Sequence, residues 1–207
     1  FTYICRMIAV ITGDIINSQQ AEAELWMQKL KTLFRSWEQT PSEWEIYRGD
    51  EFQYKCAIDE VFTKIILIKS LVKTFENLDV RLAVGIGTEI FSSEKITESN
   101  GSAYVNSGRL LNEIKLNGRT LAIKTPNENI NTDLNILFQW TSLDFDSWTA
   151  VSAEIIHIFA QDSTLSQEQV ANQLNISQSS VSQRLKRVNY DLITMTDRYF
   201  RKKISQL

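Results

Sequence analysis

The most constraining feature of this sequence lies in residues 166–185. There, two short apolar stripes are separated by a polar turn. Val170, Ala171 and Leu174 form the first stripe, and Val181 and Leu185 form the second. Apolar residues three or four positions apart lie on one face of a helix. The small side chain of Ala171 allows two helices to cross closely. The pattern therefore predicts two short helices that pack against each other.

The residues between the stripes are typical of a tight turn followed by a capped helix. Asn175 stands where the chain must turn, and Asn tolerates the left-handed backbone conformation almost as well as Gly does. Ile176 adds an apolar contact within the turn, and Ser177 can cap the second helix. We therefore expect the second helix to begin near Gln178.

The outward face of the second helix is polar and basic. Amides, hydroxyls and cations are the groups that bond to base edges and phosphates. The candidate DNA-binding residues are Gln178, Ser179, Ser180, Ser182, Gln183, Lys186 and Arg187. The segment resembles the helix-turn-helix of bacterial transcription regulators, which lays its second helix in the major groove. A helical hairpin that only packs against a partner or closes the fold is the simpler alternative.

Composition excludes several other kinds of protein. The single histidine, His157, lies in an apolar run, so we expect neither a Ser-His-Asp triad nor a multi-histidine zinc site. Cys5 and Cys56 provide no disulfide framework and are typical of a reducing cytoplasm, where we expect the protein to reside. The longest apolar stretches, such as residues 65–68, are too short to cross a bilayer, so no membrane partner is expected.

Charge is distributed unevenly along the chain. The net charge is −3, but residues 148–207 contain seven Lys and Arg against five Asp and Glu, which is a net +2 and leaves −5 for residues 1–147. A positive C-terminal part has the sign expected for contact with phosphate.

Residues 1–126 follow an alternating pattern of strands and helices. Strands are predicted at 7–12, 44–47, 51–57, 80–86 and 120–124, and helices at 20–38, 59–75 and 102–115. The order βαββαβ, with a helix and a strand appended, is that of ferredoxin-like sheets. We therefore predict an α+β chain in which a ferredoxin-like domain (1–126) is followed by a connecting helix or linker (127–147) and an all-α helix-turn-helix domain (148–207). Asp59 and Ser102 are the expected helix caps, and Trp140 and Trp148 are expected to anchor the connecting helix.

Four motifs in the first domain resemble those of one enzyme class. They are residues 11–15 (ITGDI), 48–52 (RGDEF), 81–87 (RLAVGIG) and 101–110 (GSAYVNSGRL). Together they resemble the nucleotidyl cyclase-like catalytic domain of class III cyclases, and the second motif also resembles the diguanylate cyclase hairpin. With the C-terminal helices included, nearly the whole chain is similar to the SatD family of small bacterial proteins.

The cyclase resemblance implies a metal and nucleotide site. Asp14 and Asp50 would hold two divalent cations, Mg²⁺ or Mn²⁺, on a nucleotide triphosphate, and the backbone carbonyl of Ile15 would be a third ligand. Asn106 and Arg109 are the nearest equivalents of the Asn and Arg that stabilise the transition state. These last two residues are three positions apart, whereas the family places them four apart.

Two further departures from the family pattern also argue against catalysis. Ile46 stands where the cyclases often have a lysine that recognises the base, and Arg48 stands where they have a glycine. Asp50 also has a simpler interpretation as a turn residue, and Asp14 as a loop cap.

We therefore expect a DNA-binding transcriptional regulator whose cyclase-like domain senses a nucleotide or metal. Ligand at Asp14 and Asp50 would change the spacing of two helix-turn-helix modules in a homodimer. One alternative is a nucleotide-processing enzyme whose C-terminal helices only dimerise. Another is a protein-interaction module without catalysis.

Overall fold

The computed structural model describes residues 7–207, which form a mixed α+β chain with one five-stranded sheet and eight α-helices. The strands are β1 (Met7–Ile16), β2 (Trp44–Tyr47), β3 (Glu51–Cys56), β4 (Asp79–Thr88) and β5 (Leu121–Lys124). The helices are α1 (Ala23–Trp37), α2 (Val61–Lys73), α3 (Ser102–Leu116), α4 (Glu128–Asp146), α5 (Ala150–Gln161), α6 (Gln167–Leu174), α7 (Gln178–Arg187) and α8 (Tyr190–Ile204). Cys5 lies outside the described residues, whereas Cys56 is a buried free thiol.

The strands lie in the order β2-β3-β1-β4-β5. The central strand β1 is antiparallel to both β3 and β4, and β5 is parallel to β4. We predicted β1 only as far as Thr12, because the apolar run ends there. The strand continues to Ile16 because β3 and β4 supply hydrogen-bonding partners on both sides of Asp14. Backbone pairing therefore extends the strand beyond its apolar sequence.

The two faces of the sheet are covered differently. Alternate residues of β1, such as Ile11 and Ile15, point into the large hydrophobic core that also contains α1 and α2. Helix α3 covers the other face at very short range. A Cβ atom on Gly85 would lie 2.1 Å from the carbonyl oxygen of Ala103. Only a glycine on β4 permits this approach, and it lets the hydroxyl of Thr12 donate to Ser107 Oγ at 2.8 Å.

Helix α2 is central to the molecule and is buried on nearly all sides. It contacts β1 and β4 of the sheet and also α5 and α8 of the C-terminal helices. Phe62 on α2 lies within 6.3 Å, between ring centroids, of Phe138, Phe145 and Phe200. The apolar core thus continues from the sheet into the C-terminal helices. The division at residues 126 and 148 stays a prediction.

A buried ion network joins α2, β4 and α4. Lys69 is 3% exposed, and its ammonium donates to the carboxylates of Asp79 and Asp146. Lys73 donates to the backbone carbonyl of Asp146 at 2.8 Å, and Thr120 donates to the carboxylate of the same residue. Each buried charge therefore has an opposite charge beside it, as burial of charges requires.

Three local expectations were wrong. Asp59 does not cap α2, because it lies inside a 3-10 turn and Glu60 takes the cap position without a side-chain bond. Ser102 does not cap α3, because it is the first residue of that helix and its hydroxyl accepts from the N–H of Thr88 at 2.8 Å. Trp148 is buried against Phe145 as expected, but Trp140 is 71% exposed and is not packed into the hydrophobic core of residues 7–207.

Candidate functional site

The segment with the two apolar stripes folds into the helix pair α6 and α7. The hydroxyl of Ser166 accepts from the N–H of Gln169 at 3.2 Å, and Gln169 Oε1 accepts from the N–H of Ser166 at 2.7 Å. This reciprocal pair is a capping box, which fixes the first residue of α6. Helix α6 ends at Asn175, whose φ of 53° and ψ of 43° are left-handed, as expected for this residue.

The turn leads directly into a second capped helix. The hydroxyl of Ser177 accepts from the N–H of Ser180 at 3.2 Å, so Ser177 caps α7 as predicted. Val170, Ala171 and Val181 are buried where α6, α7 and α5 meet. Both stripes therefore face inward, and their burial fixes which side of α7 is turned to solvent.

The solvent side of α7 carries most of the candidate DNA-binding residues. Ser179, Gln183 and Lys186 follow one line, since they are four and three positions apart. Gln183 and Lys186 are exposed, as are Gln178, Ser179 and Arg187, whereas Ser180 and Ser182 are half-buried at the edges of the face. The helix contains no Asp or Glu, and Arg184, Lys186 and Arg187 give it three positive charges.

Asp14 lies in an ion-pair cluster at the end of β1. It is 8% exposed, and Arg81 Nη1 on β4 donates to its Oδ2 at 2.8 Å. Lys115 Nζ on α3 lies 2.9 Å from Asp14 Oδ1 and 2.8 Å from Glu51 Oε1 on β3. Partial burial lowers the pKa of Lys115, but hydrogen bonds to these two carboxylates outweigh burial and leave the pKa above its usual value. Two cations therefore neutralise two carboxylates.

Asp50 lies nearby but has different partners. Strand pairing places Asp14 opposite Glu51, so these two side chains share the face of the sheet that α3 covers. Asp50 precedes Glu51 in the hairpin turn, and its carboxylate accepts from the hydroxyl of Ser18 at 2.8 Å. The backbone of Ile15 adjoins this turn, because its N–H donates to the carbonyl of Asp50 at 3.0 Å.

These residues do not fit a two-metal site as they are arranged. Both carboxylate oxygens of Asp14 already contact cationic side chains. Within residues 7–207 there is no group of three or more His, Cys, Asp or Glu side chains that could hold a metal ion. Metal binding at Asp14, Ile15 and Asp50 stays a prediction, and we assign no chemical step to it.

Asn106 and Arg109 lie on α3, and neither is a hydrogen-bond or ion-pair partner of Asp14 within residues 7–207. They precede Lys115 by nine and six residues, which corresponds to roughly 14 and 9 Å along the helix axis. Arg109 is exposed and Asn106 is half-buried. The structure therefore groups Asp14 with Lys115 and not with these two residues.

Three members of this cluster were not predicted from the sequence: Arg81, Glu51 and Lys115. Pairing the predicted β1 with the strand that follows α2 brings Arg81 near the end of β1, so a strand register would have identified this residue. Lys115 could not be found in this way, because its position depends on how closely α3 approaches the sheet.

A family comparison covers almost all of the chain. The SatD family model matches residues 7–203. The chain belongs to the SatD family. This confirms the family resemblance, which includes both the sheet and the C-terminal helices. No curated protein matches the sequence. None of the helices in residues 7–207 has both the length and the apolar character needed to cross a bilayer.

Proposed function

We propose that this SatD family member is a DNA-binding regulator that inserts α7 into the major groove. The observation that carries the proposal is the exposed polar and basic face of α7 on a helix whose other face is buried. A helical hairpin that merely closed the fold would also have a polar outer face, but it would not need three positive charges and no acidic residue on α7. Two short capped helices joined by a left-handed turn at Asn175 support this proposal, because helix-turn-helix proteins are built from such a pair.

Different residues on α7 are suited to different contacts. Ser179 and Gln183 lie on the outermost line in the first two turns of the helix, where helix-turn-helix proteins contact base edges. Gln can bond to adenine through two atoms. Lys186 and Arg187 lie in the last turn and are suited to phosphates, which fix the register of the protein on the duplex. Gln178 and Ser179 also present the N-terminal end of a helix, which favours anions.

We interpret the sheet domain as a ferredoxin-like, cyclase-related fold that does not act as an enzyme. The order β2-β3-β1-β4, with α1 and α2 on one face, supports the fold interpretation. The pairing of Asp14 with Arg81 and Lys115, and not with Asn106 or Arg109, within residues 7–207 supports the absence of cyclase chemistry. The domain instead supports α7 rigidly, through the packing of α2 against α5 and of α5 against α7.

The test is selection of bound fragments from genomic DNA, followed by affinity measurements on a recovered fragment. A variant with both Lys186→Ala and Arg187→Ala should bind every DNA sequence more weakly. The slope of log affinity against log salt concentration should become smaller in magnitude by about 2, because two phosphate contacts are lost. Arg35→Ala is the matched control, since Arg35 is an exposed cation on α1. Failure to retard any DNA at low salt would overturn the proposal.

Base readout has a separate test. Gln183→Ala should cost about 1–3 kcal/mol on the selected sequence and little on unrelated DNA, because base-edge contacts carry sequence information and phosphate contacts do not. Equal losses on both DNAs would show that Gln183 does not read sequence.

A further inference from the structure

Helices α4 and α8 together present a large apolar surface to solvent. The exposed side chains are Ile136, Trp140 and Leu143 on α4 and Leu192, Met195 and Tyr199 on α8. On each helix the three residues are three or four positions apart and form one stripe. We call these six residues the α4/α8 patch. Scattered exposed apolar residues are ordinary, but a contiguous group of six large ones marks an interaction surface.

The two stripes lie side by side because the helices are antiparallel neighbours. Near one end, Lys203 on α8 pairs with Asp133 on α4 at 2.6 Å. Near the other end, the side chain of Asn189 donates to Asp144 at 2.8 Å. A groove of about 220 Å³ runs between the helices and is bordered by Trp140 and Leu192. The patch is therefore one continuous surface and not two separate stripes.

Charges at the border of the patch are complementary. Helix α4 contains four acidic residues and no Lys or Arg, whereas α8 contains two acidic and four basic residues. Asp133 continues the α4 stripe three residues before Ile136. Lys202 continues the α8 stripe three residues after Tyr199 and is exposed. Each copy of the surface thus carries an acidic helix beside a basic one.

We propose that a second copy of this chain covers the α4/α8 patch, with α4 of each protomer packed on α8 of the other. A twofold axis parallel to the helices produces this arrangement and makes facing helices antiparallel. Asp133, which already pairs with Lys203 of its own chain, then also faces Lys202 of the partner protomer, and this contact occurs twice. The other symmetric arrangement would place α4 on α4 and bring acidic helices together, which like-charge repulsion disfavours. Two antiparallel helix pairs packed in this way form a four-helix bundle.

The test is the mass of the full chain in solution by sedimentation at micromolar concentration. The wild-type protein should have twice the 23.9 kDa mass of the chain. Trp140→Glu and Met195→Glu should each weaken the dimer by more than about 30-fold, as expected for a charge at the centre of an interface. Leu116→Glu is the matched control, because Leu116 is 88% exposed on α3 and should leave the dimer intact. A wild-type monomer, or variants that remain dimeric, would overturn the proposal.

A charge exchange tests the arrangement independently of apolar packing. Asp133→Lys and Lys202→Glu should each weaken the dimer, because each places like charges opposite one another. The double variant should restore association, since it re-forms the pair with its charges reversed. Failure of the double variant to recover would exclude the α4-on-α8 arrangement.

The proposed dimer adds to the proposed function and rests on it for its role. Separate measurements test the two proposals. Helix α8 follows α7 after two residues, so dimerisation through α8 would fix the relative positions of the two α7 helices, as recognition of two half-sites requires. A dimer that binds no DNA would overturn only the proposed function. A monomer that binds DNA would overturn only the dimer.

Discussion

The hydroxyl of Ser70 on α2 lies 3.0 Å from Nδ1 of His157 on α5. This contact joins the helix beneath the sheet to the helix that supports α7, and Ser70 is fully buried. Burial lowers the pKa of His157 below its usual value, and the positive charge of Lys29 acts in the same direction. His157 therefore packs between two helices, in agreement with the apolar run in which it lies.

Stability should fall on mild acidification because of His157. Its pKa is lower in the folded chain than in the unfolded chain, so the unfolded state takes up a proton first. The stabilisation that comes from the neutral imidazole of His157 is therefore fully present above the pKa of the unfolded chain, about 6.5. It is lost as the pH falls below that value. The free energy of unfolding should decrease by at most about 1.4 kcal/mol per pH unit for one proton. Urea unfolding between about pH 7 and pH 5.5 measures this slope before most carboxylates titrate.

The matched control for this effect is His157→Gln, which keeps a polar side chain but removes the titration. The variant should show a flatter dependence of stability on pH, whatever its stability at neutral pH. Because the chain has one histidine, the NMR signal of the imidazole reports the folded pKa directly. If the free energy of unfolding changed equally with pH in the wild type and in His157→Gln, His157 would not be the cause of the decrease.

Gly85 on β4 and Gly108 on α3 should respond in opposite ways to replacement by alanine. A Cβ on Gly85 would lie 2.1 Å from the carbonyl oxygen of Ala103 and 2.5 Å from the backbone nitrogen of Ser107. Backbone atoms cannot move aside cheaply, so Gly85→Ala should destabilise the protein by about 1–3 kcal/mol or more. Gly108 lies inside α3 where an added Cβ would meet open space, so Gly108→Ala should stabilise by about 0.5–1 kcal/mol. Chemical denaturation measures both changes, and a loss at Gly108 as large as at Gly85 would contradict the close packing.

Replacing Asp14 tests whether its carboxylate is an ion-pair partner or a metal ligand. Asp14→Asn should destabilise the protein by about 1–3 kcal/mol, because Arg81 and Lys115 lose a charged partner in a partly buried setting. The ion-pair arrangement also predicts that Mg²⁺ or Mn²⁺ leaves the melting temperature of the wild type unchanged. Asp50→Asn is the control for the loss of stability, since Asp50 accepts from the neutral hydroxyl of Ser18 and not from a cation. A metal-dependent rise in melting temperature that Asp14→Asn removes would instead support the metal interpretation of the sequence.

Local pattern was sufficient to predict the helix pair and most strands. The capping residue Ser177, the left-handed Asn175 and the hairpin strand β2 all follow from residues close to one another in the sequence. Short-range preferences decide such features, and they can be read from a few neighbouring positions.

Features that depend on distant residues could not be predicted. The cluster around Asp14 needs α3 to cross the sheet at the one place where Gly85 lets it come close. Trp140 was expected to be buried because tryptophan usually is, but its direction depends on how α4 packs on α8 and α2. Lys69 lies in an apolar helical run, so the neighbouring sequence did not indicate its ion pairs with Asp79 and Asp146.

The left-handed turn at Asn175 should control the angle between α6 and α7. Asn175→Ala should destabilise the helix pair by about 1–2 kcal/mol, because a Cβ-bearing residue without a polar side chain is strained at a φ of 53°. Asn175→Gly should be close to neutral, since glycine adopts this conformation freely. Amide hydrogen exchange in α6 and α7 measures the effect locally, and DNA affinity should fall in the alanine variant alone. Equal exchange rates in the two variants would show that the backbone of the turn does not hold the helices at their angle.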